Sequence, residues 1–195
     1  MAVQPGERRL QILQTLAEML EAPKGEKITT AALAARVDCS EAALYRHFAS
    51  KAQMFDGLIE FIESSVFSLV NKITAEQEDG LKQVEAILFV LLNFAEKNRG
   101  MTRVLIGDAL VHENDRLQTR INTLLDKIEA ALKQALRIGQ AQGAVQVNRD
   151  VGAIANLLRC YVVGRWEQYA RSGFTRDPLS QWQQQWPRLQ LACSA

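Results

Sequence analysis

The stretch Ile28–Lys51, ITTAALAARVDCSEAALYRHFASK, constrains the fold more than any other part of the chain. Thr29 is suited to cap a helix, its hydroxyl oxygen accepting an N–H from the first turn. The pattern predicts a helix over Thr30–Arg36, with Leu33 and Val37 on one face. Val37-Asp38-Cys39 is long enough only for a turn. Ser40 caps the next helix, and Glu41 stands where the helix dipole favours an anion. That helix is expected over Glu41–Phe48, with Leu44 and Phe48 inward at i, i+4 spacing. Ser50 and Gln53 then have the spacing of a capping box that opens a longer helix. Two capped helices joined by a short turn form the helix-turn-helix pattern, whose second helix enters the DNA major groove.

The side chains of the second helix fit that placement. Ala42 and Ala43 are small enough to bring the helix close to base edges and to touch a thymine methyl. Tyr45, Arg46 and His47 offer donors, and Lys51 adds a cation at the next helix start. The hydroxyls and helix N-termini at Thr29, Thr30 and Ser40 suit phosphate oxygens. An ordinary αα-corner inside a helical core fits the same periodicity.

The string T-T-x-x-L-A-x-x-V-x-x-S-x-x-x-L-Y-x-H-F-x-x-K, Thr29 to Lys51, resembles the DNA-binding domain of the TetR family. The resemblance extends over the whole chain in length and helix layout, and it is closer still to nucleoid occlusion factors within that family. ITTAALAARV and SEAALYRHFASK carry it, with weaker echoes in MFDGLIEFIE, HENDRLQTRIN and RWEQYARSGF. Two features depart from the pattern. Asp38 and Cys39 occupy the turn where the family commonly has a glycine and an apolar residue, and the N-terminal arm is short and poor in basic residues. Glycine tolerates positive φ where aspartate is less at ease, so the first departure predicts a strained turn.

Composition sets outer limits. A chain of 195 residues, 48% of them hydrophobic, is long enough for a real core and for one or two domains. The longest apolar run, VEAILFVLLNFA (Val84–Ala95), is too short to span a bilayer. The N-terminus MAVQPGERR lacks the core of a signal peptide, so a cytoplasmic location is expected. Cys39, Cys160 and Cys193 have no metal-like spacing and are expected to be reduced thiols. The formal net charge is only +1, and residues 1–51 carry seven basic against six acidic side chains. The case for DNA therefore rests on the motif rather than on bulk charge, and binding should still weaken with salt.

Outside the motif every segment reads as helix. Gly6–Leu20 carries Leu10, Leu13, Ala17 and Leu20 at helical spacing, widened by Ile12 and Leu16, with Arg8 and Arg9 near its start where they can meet phosphates. Pro23 and Gly25 mark the loop that follows. From Lys51 a helix to about Lys72 links the head to the body, with Phe61 and Phe67 off its apolar face. Leu81–Lys97 is apolar nearly all round and is expected to be central, with Asn98-Arg99-Gly100 ending it and a short helix over Met101–Val111. His112 reads as structural or surface. Asn114 should cap a helix to about Ala141 whose Leu117, Ile121, Leu124, Ile128, Ala131 and Ala135 fit a coiled coil or a bundle equally well. Asn148 should cap another to Arg171, where Gly164 allows a close helix approach. Asp177-Pro178 should open the last helix, with Trp182 and Trp186 inward and a possible kink at Pro187.

The expected architecture is all-α: a helix-turn-helix head over residues 1–51 and a helical dimerisation and partner-binding body over 52–195. The last two helices are the expected four-helix contact of a homodimer, which sets two heads about one DNA turn apart on a palindrome. The resemblance implies double-stranded DNA as a partner, one or two dimers per site, a nucleoid-associated location and no cofactor. It also implies that the DNA-bound protein engages the tubulin-like division protein FtsZ and blocks Z-ring assembly over the chromosome. The corresponding partner surface takes in Phe61, Lys97 and Asn98. The other reading is the family's commoner role, a ligand-responsive repressor, which needs a roomy pocket in the body. No phosphate loop, dinucleotide glycine motif, metal spacing or nucleophile elbow points to an enzyme.

Overall fold

A computed structural model describes residues 5–22, 28–111 and 113–194, the side chains of Pro5 and Ser194 excepted. The expectations for Pro23, Gly25 and His112 lie outside the described residues. In chain order the helices are α1 (Pro5–Met19), α2 (Thr30–Arg36), α3 (Glu41–Tyr45), α4 (Lys51–Glu76), α5 (Gly80–Lys97) and α6 (Arg99–Leu105). A 3-10 turn at Asp108–Leu110 follows, then α7 (Asp115–Ala141), α8 (Val151–Arg171) and α9 (Trp182–Ser194). No strand occurs among the described residues. The helices form two compact units, Met1–Ile62 with Asn98–Ile121, and Glu63–Lys97 with Asn122–Ala195.

In the first unit, α1 packs on α2 and α6. Its buried stripe centres on Ile12 and Leu16, flanked by Leu13, Ala17 and Leu20. Leu10, expected in that stripe, is 40% exposed. It lies at the edge of the stripe, two turns before Ala17 and near the start of the helix. Helix α5 ends at Lys97 as expected, but the next helix begins at Arg99 rather than Met101, so Gly100 lies inside it. It is buried against α1: a Cβ there would lie 1.8 Å from the Ala17 carbonyl oxygen. Arg103 then donates from Nη1 to the carbonyls of Leu20 and Ala22, at 3.3 and 3.0 Å, and from Nε to Asp108 at 2.6 Å. A cation thus sits just beyond the C-terminus of α1, where the helix dipole favours it.

The second unit is built around contact between α5 and α8. Trp166 is fully buried, and its indole N–H donates to the Leu91 carbonyl at 3.0 Å. Tyr169 donates to the Glu96 carbonyl at 3.2 Å and meets the Phe174 ring edge-on at 5.1 Å. The first residue of α5, Gly80, sits against α7, where a Cβ would fall 2.3 Å from the Gly139 nitrogen. On α7 the buried residues run Leu124, Ile128, Leu132, Ala135 and Leu136, with Ala131 only half-buried. That drift from Ala131 to Leu132 follows the straight-helix period of a bundle rather than a strict heptad.

Two caps differ from expectation. Asp150, not Asn148, caps α8, accepting from Gly152 and Ala153 at 2.8 and 3.2 Å. Asp177-Pro178 forms a turn held by Arg165, whose guanidinium donates to both their carbonyls, and α9 begins only at Trp182. The helix continues through Pro187 to Ser194, with Trp182 and Trp186 stacked at 5.6 Å and buried.

Candidate nucleic-acid interface

The two short helices of the head are set by local chemistry. Thr29 has extended backbone and accepts from the Ala32 N–H at 3.1 Å, and Ser40 does the same for Ala43 at 3.2 Å. Helix α2 ends in a Schellman motif. The Cys39 N–H donates to Ala34 at 3.0 Å and the Asp38 N–H to Ala35 at 3.2 Å. Asp38 takes the left-handed conformation that closes this motif, at φ 55. For a residue other than glycine this costs about 1 kcal/mol.

Helix α3 is one residue longer than a single turn and ends at Tyr45, earlier than expected, although Phe48 still packs inward. Leu44 and Phe48 are buried at 0% and 1% exposure and hold the helix to the unit. Opposite them, Glu41, Ala42, Tyr45 and Arg46 are exposed, and Ala43 and His47 are half-buried. Tyr45 is 44% exposed, a large aromatic offered to solvent. At the next helix start, Gln53 donates from its backbone to Ser50 Oγ at 3.2 Å and accepts from the Ala49 N–H at 2.9 Å.

Among the site residues named from sequence, Thr29 is exposed at the start of α2, and Ser40, Ala42, Tyr45 and Arg46 are exposed on or beside α3. Thr30 is half-buried, its hydroxyl donating to Glu41 at 2.6 Å. Lys51 is half-buried, ion-paired with Glu113 and 5.6 Å from the Phe55 ring centroid. Arg8 and Arg9 have tasks that sequence did not indicate. Arg8 donates to the carbonyls of Val37 and Asp38, at 3.2 and 3.3 Å. Arg9 donates to the His47 carbonyl at 3.3 Å and lies 4.3 Å above the Phe48 ring centroid. In the sequence, the only hint of such a partner was an aspartate, Asp38, in a turn that favours glycine. Of the residues named for a protein partner, Phe61 is half-buried on α4 and Lys97 is exposed at the end of α5. Asn98 is half-buried, its carbonyl accepting from the Thr102 N–H and hydroxyl, both at 2.9 Å.

No group of three or more His, Cys, Asp or Glu side chains able to hold a metal occurs among the described residues. None of the described helices is long and apolar enough to cross a membrane.

A three-helix head with an outward recognition helix, followed by a helical body, defines a DNA-binding regulator. Residues 16–58 match the family described as bacterial regulatory proteins, tetR family, and residues 78–192 match the SlmA-like family described as tetracyclin repressor-like, C-terminal domain. The chain is 52% identical over 185 residues to the nucleoid occlusion factor SlmA of Alteromonas mediterranea, with 95% of each chain covered. It is 50% identical over 191 residues to SlmA of Shewanella oneidensis, with 97% of each covered. The fold is also that of a TetR transcription regulator from Haloarcula marismortui, at TM-score 0.83 and 14% identity, over 97% of this chain and 100% of that one. FadR from Bacillus halodurans superposes at TM-score 0.79 and 14% identity, over 94% of each. The chain belongs to the TetR family and, within it, to the SlmA-type nucleoid occlusion factors.

Proposed function

We infer that this chain is a sequence-specific DNA-binding nucleoid occlusion factor that, bound to chromosomal sites as a dimer, engages FtsZ and blocks septum formation over the nucleoid. The observation that carries this reading is that the likeness to SlmA proteins spans the head and the body alike. Relatives alike only in the head would support DNA binding alone.

The head supplies the DNA contact through the exposed face of α3. Ala42 and Ala43 allow close approach, Tyr45 and Arg46 reach base edges, and the N-termini capped by Thr29 and Ser40 meet phosphates. Thr30, His47 and Lys51 flank that face. The body supplies the dimer contact through the outer side of α8, where Ala153, Leu157, Cys160 and Gly164 follow at helical spacing and are exposed in the single chain. Leu157 is 51% and Leu191, on α9, 63% exposed, which favours a covering partner. The candidates for FtsZ binding are Phe61 on α4, Lys97 at the end of α5 and Asn98 after it. Lys97 at a helix C-terminus suits an acidic segment. DNA would favour the arrangement that binds FtsZ better, and linkage makes that effect reciprocal.

A ligand-responsive repressor is less well supported. It needs an apolar cavity in the body, and the contact of α5 with α8 is filled by Trp166, whose indole is buried and hydrogen-bonded. A direct test is overproduction in dividing cells whose DNA carries the sites this protein selects. Filamentous cells lacking Z-rings over the nucleoid are expected, and Tyr45→Ala should weaken the effect. Normal division with strong transcriptional repression at the sites would favour the repressor.

A further inference from the structure

The turn between α2 and α3 sets the angle at which the recognition helix is presented, and one residue of it is out of place chemically. Asp38 sits at φ 55 between the two bonds of the Schellman motif, a position that favours glycine. The carbonyls on both sides of its Cα are those of Val37 and Asp38, and both accept from one nitrogen of Arg8, at 3.2 and 3.3 Å. The other terminal nitrogen donates to Gln11 Oε1 at 2.8 Å, which fixes the guanidinium on its own helix. Both terminal nitrogens of Arg8 are therefore turned to protein acceptors. The fork is geometrically specific, since a lysine ammonium is a point charge that lacks the planar pair of donors.

We propose that Arg8 is a positioning residue for DNA recognition: it clamps the left-handed Asp38 turn, holds α3 at its reading angle, and makes no phosphate contact. Arg9 acts in the same sense at the other end of α3, donating to the His47 carbonyl over the Phe48 ring. Consecutive arginines on α1 thus hold the start and the finish of the recognition helix. The proposal rests on the DNA-binding reading above.

The test is binding by the full chain to a duplex genomic fragment that it selects and to a scrambled duplex of equal composition, at several salt concentrations. Arg8→Lys and Arg8→Met are compared with the unaltered protein, each alone and combined with Asp38→Gly. Arg8→Lys should weaken binding to the selected duplex about tenfold and leave the scrambled one nearly unchanged. The slope of log affinity against log salt should not move, because no phosphate contact is lost. Asp38→Gly should recover most of the loss, since glycine adopts the turn unaided. A uniform loss on both duplexes with a salt slope shallower by about one identifies a phosphate contact and overturns the proposal. Unchanged affinity in both variants, or a loss that Asp38→Gly does not recover, overturns it as well. Should Arg8→Met unfold, Arg8→Lys carries the measurement. If the unaltered protein shows no preference for the selected duplex, the DNA-binding reading itself fails. Variants that match a discriminating wild type sink only the role of Arg8.

Discussion

The Thr30 hydroxyl donates to a carboxylate oxygen of Glu41 at 2.6 Å, tying the first turn of α2 to the first turn of α3. The same bond holds a negative charge at the edge of the face assigned to DNA. Thr30→Ala should cost about 1 kcal/mol of stability, the usual worth of one such bond, and should weaken DNA binding more than Thr30→Ser does. Urea unfolding and fluorescence anisotropy measure the two effects. Equal affinity for the alanine and serine variants would remove Thr30 from the interface.

Tyr45 separates recognition from stability. At 44% exposure its ring adds little to the core, so Tyr45→Ala should leave the unfolding midpoint nearly unchanged. Affinity for a selected duplex should fall about tenfold, the effect of losing one good base-edge or stacking contact. An unfolding transition shifted as much as the affinity would assign the ring a structural role instead.

Lys51 is held by Glu113, which precedes α7. A phosphate must compete with that carboxylate for the ammonium. Glu113→Gln should therefore tighten DNA binding and steepen its salt dependence by about one ion. Lys51→Gln should do the reverse. If Glu113→Gln binds DNA as the parent does, at every salt concentration, Lys51 does not reach the backbone.

Two glycines should behave in opposite ways. Gly100→Ala drives a methyl into the Ala17 carbonyl, at 1.8 Å, and backbone cannot yield as a side chain does. A loss of about 3 kcal/mol or more is expected on urea unfolding. Gly164 meets no atom within 4 Å in the single chain. Gly164→Glu should keep the helical signal and shift the sedimenting species from dimer to monomer. A dimer that survives the change would move the subunit contact away from α8.

Cys193 carries the clearest pH dependence. Burial pushes its thiol up from the ordinary 9.0 to about 11. A folded pKa above the unfolded one means a stabilising contribution fully present below pH 9.0 and lost as pH rises toward 11. Cys193→Ala should remove that part of the alkaline loss. At pH 8 a thiol reagent should reach Cys193 only on unfolding. Rapid reaction of the native protein at this position would contradict its burial.

The legible parts of the fold were those set by neighbours in sequence. Thr29 and Ser40 announce their caps because an N-cap bond closes over three residues, and α2 has the bounds its pattern predicts. Asp150 in place of Asn148 is a near miss of the same kind, with two good capping residues competing within one turn. Long-range choices left no such mark. Gly100 could not be placed inside a packed helix because its contact, Ala17, is far away in the chain. The carbonyl partners of Arg8 and Arg9 could not be foreseen, because a carbonyl partner has no side-chain signature. On the candidate face, Ala42, Tyr45 and Arg46 could be read as outward from the burial of Leu44 and Phe48, whereas the pairing of Lys51 with Glu113 could not.

The most direct measurement is sedimentation of purified FtsZ polymers with this protein, with and without the duplex DNA that it selects. The account predicts loss of polymer when protein and selected DNA are both present, and little loss with protein alone, DNA alone, or protein plus scrambled DNA. Full polymer recovery in every arm, alongside tight binding to the selected DNA, would contradict it and leave an ordinary regulator of transcription.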